Sequence, residues 1–98
     1  MREVVFYRRA EREFQQSIRF YALQSERIGL DFNAEIQRVL RSIQANPDAG
    51  VSSSRRTRKR LCKRVPFGIM YRVLPTEIHV VAVVHLRRRP NYWKGRHQ

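Results

Sequence analysis

Residues 78–84 read Ile78-His79-Val80-Val81-Ala82-Val83-Val84, an apolar run dominated by β-branched side chains. Such residues favour extended backbone, and an apolar run of this length is typical of a strand buried on both faces. The run leads directly into His85-Leu86-Arg87-Arg88-Arg89-Pro90-Asn91-Tyr92-Trp93-Lys94-Gly95-Arg96, which is dense in cations and aromatic rings. We therefore expect a rigid strand that presents a basic segment at its end, where functional residues are commonly found.

Two more strands are predicted immediately upstream of this run. Ile69 to Leu74 is rich in residues that favour strands, and Pro75-Thr76-Glu77 makes a tight connection to the apolar run. Arg55 to Arg64 holds seven Lys or Arg in ten positions and is predicted to be a half-buried strand with a solvated basic face. Pro66-Phe67-Gly68 is expected to form the turn after it. Two close reversals predict a three-stranded antiparallel meander.

Two amphipathic helices are predicted before the meander, because apolar residues recur there at helical spacing. They are Ala10, Phe14, Ile18, Tyr21 and Ala22 in the first helix, and Phe32, Ile36, Val39, Leu40 and Ile43 in the second. Gly29 is expected to permit a tight turn between the helices, with Asp31 favouring the start of the second. Asn46-Pro47 should end that helix, because the residue before a proline resists helical backbone. Val51–Ser54 is expected to be a flexible, polar lead-in.

The order of these elements predicts one α+β domain that spans residues 1–98. An N-terminal strand, Glu3 to Tyr7, is followed by an antiparallel helical hairpin and then by the three-stranded antiparallel meander, in one small sheet. The first strand is expected to join that sheet beside the meander. The predicted core residues, each at the centre of its periodic set, are Phe14, Ile36, Leu40, Tyr71 and Val83.

The net charge of +13, from 21 Lys and Arg against eight acids, predicts a polyanionic or acidic partner. The chain has no signal-peptide pattern and no apolar run long enough to span a membrane, so we expect it to be cytoplasmic and not membrane-bound. One cysteine, Cys62, and three histidines without ligand spacing predict no metal site, and we expect Cys62 to be inert. No phosphate-binding glycine loop is present, and no cofactor is expected.

Two basic segments are the candidate functional regions. Arg55 to Arg64 is either a ridge that contacts phosphates or a solvated face that meets an acidic partner. In the C-terminal segment, the arginines can clamp phosphates, and Tyr92 and Trp93 can stack on bases. His85 could act as an acid or base. Tyr92 and Trp93 could instead pack against the fold, and we expect at least one of the two rings to do so. His85 could simply hydrogen-bond the backbone.

Three parts of the sequence, in their order and spacing, resemble the ParE/RelE superfamily of type II toxin–antitoxin toxins. The first is an opening strand, Ala10-Glu11-x-x-Phe14 and a helix ending in Asn46-Pro47. The second is Arg64-Val65-Pro66-Phe67-Gly68-Ile69-Met70-Tyr71-Arg72-Val73. The third is Ala82-Val83-Val84-His85-Leu86-Arg87-Arg88-x-Pro90-x-Tyr92-Trp93. The resemblance implies a helical hairpin over a small antiparallel sheet, which is the arrangement predicted above.

The resemblance implies a ParE-like toxin that inhibits DNA gyrase, arrests growth and serves plasmid stabilisation, with an acidic antitoxin as partner in a possible hetero-oligomer. The alternative is a RelE-like, ribosome-dependent mRNA endoribonuclease that uses no metal, so whether the protein is an enzyme stays open. A non-toxic nucleic-acid-binding module is a third hypothesis. Gly68 stands near the place of an arginine expected in the RelE pattern, whereas Tyr71-Arg72-Val73 and His85 are more ParE-like.

The resemblance also suggests which residues would act. If the protein is a ribonuclease, the catalytic residues would be Arg87, Tyr92 and His85. Residues expected to contact nucleic acid or another target under any of the hypotheses are Lys59, Arg60, Lys63, Arg64, Arg72, Arg88, Arg89 and Trp93. Under the gyrase hypothesis, Arg87 and Tyr92 would belong to a protein contact, with no RNA chemistry.

Overall fold

The computed structural model describes residues 1–54 and 56–97. Arg55, at the start of the predicted basic strand, and Gln98 lie outside the described residues. The elements run in the order β1 (Glu3–Phe6), α1 (Arg8–Gln24), α2 (Glu26–Ala45), a 3-10 helix (Pro47–Ala49), β2 (Val51–Ser54), β3 (Thr57–Leu61), β4 (Phe67–Val73) and β5 (Glu77–His85). None of the helices described is long and apolar enough to cross a membrane.

The strands form one five-stranded sheet in the order β1-β5-β4-β3-β2. The predicted meander is present, since β3, β4 and β5 pair antiparallel in sequence. Two features of the prediction were wrong. The sheet is mixed, because β1 runs parallel to β5, and Val51–Ser54 is a fifth strand paired with β3. The two helices lie between β1 and the meander in the sequence, which gives the chain enough length for a crossover connection. β1 therefore pairs in parallel with β5, on the side of β5 away from β4.

The helical hairpin differs from the prediction at its turn. Ser25 caps α2, accepting a hydrogen bond from the Ile28 backbone N–H through its Oγ, so Gly29 lies inside the helix. A Cβ atom at Gly29 would lie 2.8 Å from the Cβ and 2.9 Å from the Cα of Ala22. The glycine is therefore needed where the two helices approach closely, and not for a turn. The predicted end of α2 is confirmed, because Asn46 is its C-terminal cap.

The core lies between the helical hairpin and the sheet. All five predicted core residues are buried: Phe14, Ile36, Leu40, Tyr71 and Val83. Rings from three elements meet at Phe32 on α2, whose centroid lies 6.2 Å from Phe14, 5.1 Å from Tyr21 and 4.9 Å from Phe67. Phe67 was predicted to lie in a turn, but it opens β4, because the preceding reversal closes through a hydrogen bond from the Cys62 N–H to the Phe67 carbonyl.

Candidate target-binding surface

The two faces of the sheet carry different kinds of residue. Directly paired residues on neighbouring strands project to the same face. Arg60 pairs with Ile69 beneath the helices, whereas Lys59 pairs with Met70 and Leu61 pairs with Gly68 on the opposite side. We call this opposite side, with Lys59, Leu61, Gly68 and Met70, the open face. The segment after β5 returns across the open face. Its Trp93 lines two cavities there, one shared with Gly68 and Met70 and one shared with Val81.

Two arginines of the basic strand β3 are used within the fold. The Arg58 guanidinium donates to the Gly50 carbonyl at 2.9 Å and to the Asp48 carbonyl at 3.2 Å. Arg60, one of the predicted target contacts, donates from Nη2 to the Ser42 Oγ on α2 at 2.5 Å. Both side chains hold the sheet to the end of the helical hairpin. On the next strand Arg72 donates to the Tyr7 hydroxyl at 3.2 Å and lines the open-face cavity that contains Val81 and Trp93.

A buried ion pair fixes the C-terminal segment to α1 and to the edge of β5. Arg96 Nη1 lies 2.8 Å from Glu13 Oε1, and Nη2 lies 2.9 Å from Oε2. β1 pairs with β5 only as far as Val80. Beyond that point, Glu13 accepts from the Val83 N–H and Arg96 donates to the Val81 carbonyl, each at 3.1 Å. The pair thus takes the place of a neighbouring strand along the outer half of β5.

The hydroxyl of Tyr92 completes this cluster by donating to Glu13 Oε2 at 2.5 Å. We call Glu13, Tyr92 and Arg96 the edge cluster. Burial raises the pKa of Tyr92 well above its usual value, and the bond to Glu13 raises it further. The same carboxylate is the main cause of a raised pKa at Arg96. The Tyr92 hydroxyl is therefore held as a neutral donor, which is unsuited to a general base near neutral pH.

Of the other candidate residues of the C-terminal segment, His85 and Arg88 line one cavity together with Tyr92. The His85 ring packs on Phe67 with centroids 5.0 Å apart, and its Nδ1 accepts from the Arg87 N–H at 3.1 Å. The guanidinium of Arg88 covers the Tyr92 ring at 4.0 Å. Arg87, Arg88 and Arg89 are exposed, but Trp93 is only 5% exposed. The indole ring therefore packs, and the arginines form the accessible part of the segment.

Lys63 and Arg64 lie in the β3–β4 connection, which is anchored by a buried carboxylate on α2. Glu35 accepts the backbone N–H of Lys63 at 2.7 Å and that of Arg64 at 3.1 Å, and forms a two-point ion pair with Arg38. The side-chain bond from Arg38 is the largest cause that lowers the pKa of Glu35 to about 2, against the opposing effect of burial. The side chains of Lys63 and Arg64 are left exposed.

We expect Glu35 to make stability depend on pH. Because its folded pKa of about 2 lies below its ordinary value of 4.5, its contribution is complete above about 4.5 and is lost as pH falls toward about 2. Near neutral pH, Glu35→Gln should lower the free energy of unfolding by about 1–3 kcal/mol, since it weakens the bonds to two backbone donors. Denaturant titrations at several pH values measure this difference, which should shrink on acidification.

Exposed Glu26, in the first turn of the same helix, provides the control for that prediction. Glu26→Gln should leave the stability near its wild-type value, within about 0.5 kcal/mol, as expected for a surface substitution. An equal pH dependence in wild type and in Glu35→Gln would contradict the role assigned to this carboxylate.

Cys62 is half-buried behind this connection. Burial raises the pKa of its thiol to about 12, which keeps the thiol protonated near neutral pH. No group of three or more His, Cys, Asp or Glu side chains placed to hold a metal ion is found within residues 1–54 and 56–97.

Sequence reasoning missed the acids that organise this surface, Glu13 and Glu35. A signal for Glu35 was present, because it follows Phe32 by three positions and precedes Val39 by four, within the apolar stripe of α2. An acid in such a stripe must be paired when the helix packs. Glu13 gave a weaker signal, since its partners Tyr92 and Arg96 lie about eighty residues away in the chain.

Comparisons with known proteins agree with this fold. The model of the family described as "ParE toxin of type II toxin-antitoxin system, parDE" matches residues 4–90. A chain in the solved structure titled "Chromosomal ParDE TA system from P. aeruginosa" resembles this one with a TM-score of 0.75 and 22% sequence identity, over 88% of this chain and 97% of that chain. That likeness shows the fold alone. No curated protein matches the sequence.

Proposed function

The chain belongs to the ParE toxin family of type II toxin–antitoxin systems, and we propose that it arrests growth by binding and inhibiting DNA gyrase. On this proposal the protein acts through a surface contact and carries out no reaction of its own. An acidic antitoxin neutralises it in a toxin–antitoxin complex. The accessible arginines that follow β5, Arg87 and Arg89, contribute to the gyrase contact.

The hydrogen bond from Tyr92 to Glu13 is the observation that carries this proposal over RNA cleavage. A metal-free ribonuclease needs a group that takes the proton from the 2′-hydroxyl of RNA, close to cations that stabilise the phosphate. The Tyr92 hydroxyl is held as a donor, and its pKa is raised. Gly68, near the place of an arginine expected in the RelE pattern, offers no side chain. A protein contact through exposed arginines requires neither a base nor that arginine.

We expect purified protein to inhibit supercoiling by gyrase and to cause gyrase-linked breaks in DNA, while mRNA in a translating extract stays intact. The double variant Arg87→Ala, Arg89→Ala should weaken inhibition by roughly tenfold or more, since exposed arginines are frequent energetic anchors of protein contacts. Arg12→Ala, Arg19→Ala is the matched control, because both arginines are exposed on α1. Its inhibition should match wild type.

The opposite pattern would overturn the proposal. Codon-positioned cuts in mRNA, with gyrase unaffected, would instead support the ribonuclease alternative. Inhibition that falls equally in the two double variants would show that net charge matters and that the C-terminal segment is not a specific contact.

The antitoxin has a candidate docking site at the turn of the helical hairpin. Four large apolar side chains are exposed there: Phe20, Leu23, Ile28 and Leu30. Exposed apolar clusters commonly mark protein contacts, and an amphipathic helix is suited to cover them. Charge steering by the +13 protein should make association with an acidic partner fast and sensitive to salt.

We expect Leu23→Glu to weaken binding of the antitoxin at least tenfold, because the substitution places a charge within the apolar contact. Affinity for the protein encoded beside the toxin gene can be measured by calorimetry. Gln24→Glu, on the neighbouring exposed position, adds the same charge and should have a small effect. Absence of any affinity for that neighbouring product would remove the antitoxin from the proposal.

A further inference from the structure

The positive charge of the protein is concentrated in the half of the chain that forms strands β2 to β5. Residues 49–98 contain 13 of the 21 Lys and Arg but only one of the eight acids, Glu77. The first 48 residues, which include both helices, are close to neutral. The molecule therefore has a nearly uncharged helical side and a strongly basic sheet side, which creates a directed field for an anionic partner.

The contacts within the fold separate structural cations from accessible ones. Arg58, Arg60 and Arg96 are held by hydrogen bonds to the helices or to their connections. Arg72 donates to the Tyr7 hydroxyl. The other described cations of residues 49–98 form no salt bridge with any described residue and show no side-chain hydrogen bond. They are Arg56, Lys59, Lys63, Arg64, Arg87, Arg88, Arg89 and Lys94.

Five of these cations, together with Arg72, line two cavities that share Trp93 as a wall on the open face. Lys59, Arg88 and Arg89 line the first cavity, of about 170 Å³. Arg56, Arg72 and Lys94 line the second, of about 480 Å³. Lys59 on β3, Arg72 on β4 and Arg56 directly before β3 supply half of these cations, and the C-terminal segment supplies the other half. Because the edge cluster ties that segment to the sheet, the two sets of cations keep a fixed relation to each other.

We propose that the open face binds the phosphate backbone of duplex DNA, independently of its sequence. Cations in a fixed array suit a stiff polyanion, which presents phosphates at regular spacing. The longest dimension of the molecule, 38 Å, is about one turn of a DNA duplex, roughly 34–36 Å. Several successive phosphates can therefore lie along the surface at once.

Single-stranded RNA fits this surface less well. Proteins that bind single strands use exposed aromatic rings on which bases stack. Trp93 is buried, and the Tyr92 ring lies beneath Arg88 with its hydroxyl bonded to Glu13. The open face thus offers cations for phosphates but no free ring for bases. DNA itself is then a ligand of the protein, and its binding requires no gyrase.

The test measures binding of purified protein to a fluorescent random-sequence DNA duplex of about 30 base pairs over a range of salt concentrations. We expect the affinity to fall steeply with salt, with a log–log slope of about −5 if roughly six cations contact phosphates. Arg56→Gln, Lys59→Gln, Lys94→Gln should bind more than tenfold more weakly at about 0.1 M salt, with a slope shallower by about 3. Lys94→Gln alone, beyond the last strand, should make the slope shallower by about 1.

The control removes the same charge from the helical side, by Arg12→Gln, Arg19→Gln, Arg41→Gln, and should bind DNA nearly as well as wild type. Equal losses in both triple variants would overturn the inference, as would absence of duplex binding. Tighter binding of a single-stranded RNA of equal length, or displacement of DNA by polyglutamate at equal charge concentration, would also overturn it. Gyrase inhibition without DNA binding would refute this inference alone, and DNA binding without gyrase inhibition would refute the proposed function alone.

Discussion

Replacing Glu13 with alanine is expected to lower the free energy of unfolding by about 3–5 kcal/mol, because it leaves the buried cation of Arg96 without its partner. The side chains of Arg96 and Glu13 are only 9% and 16% exposed, so water cannot readily replace the lost carboxylate. The change also removes acceptors for the Tyr92 hydroxyl and the Val83 N–H. Chemical denaturation monitored by circular dichroism measures the loss.

Glu11→Ala is the matched control, since Glu11 lies on the same helix and makes only an exposed bond to Gln15. It should change stability by less than about 0.5 kcal/mol. The double variant Glu13→Leu, Arg96→Met should be more stable than Glu13→Ala, because removing both charges leaves none buried alone. Equal stability of Glu13→Ala and wild type would show that the edge cluster does not hold the C-terminal segment in place.

Phe32→Ala is expected to lower the free energy of unfolding by about 3–5 kcal/mol, the range for deleting a buried aromatic ring. Phe32 is 1% exposed, and its ring packs against the rings of Phe14 and Tyr21 on α1 and against that of Phe67 on β4. Its removal opens a cavity at the point where both helices meet the sheet. Thermal and chemical denaturation both report the change.

Phe20→Ala provides the comparison for this ring, because Phe20 lies on the same hairpin but is 60% exposed. Its contact with Tyr21 is at the surface, so the expected loss is below about 1 kcal/mol. If the two phenylalanine variants were equally stable, the packing assigned to the interface between hairpin and sheet would be wrong. Phe20→Ala should instead affect antitoxin binding, since Phe20 belongs to the apolar cluster at the hairpin turn.

The sequence alone was sufficient for the elements whose signal is local. Helical spacing of apolar residues identified both helices, and the apolar run from Ile78 to Val84 identified the strand that became β5. Core residues such as Leu40 and Val83 followed from the same periodicities, because a residue at the centre of an apolar stripe must face the interior. Asn46-Pro47 ended α2 as expected, since proline restricts the backbone of its neighbour.

Three features depended on approaches between distant parts of the chain. The polar stretch Val51–Ser54 has little strand propensity, and it is a strand because β3 offers it hydrogen-bonding partners. Gly29 suggests a turn by composition, yet the close approach of Ala22 requires it inside a helix. The parallel direction of β1 depends on how the helical hairpin connects it to the rest of the sheet. The spacing of apolar residues carries no information about that direction.

The candidate surface, too, could be predicted only in part from the sequence. Its basic character and the exposed arginines after β5 are present in the sequence, because net charge and charge runs need no fold to be recognised. Which cations remain accessible was decided only by tertiary structure. Glu13 binds Tyr92 and Arg96, while Ser42 receives Arg60 from a neighbouring layer. Those partners lie between 18 and 83 residues apart along the chain, so only the closure of the sheet against the hairpin brings them within hydrogen-bonding distance.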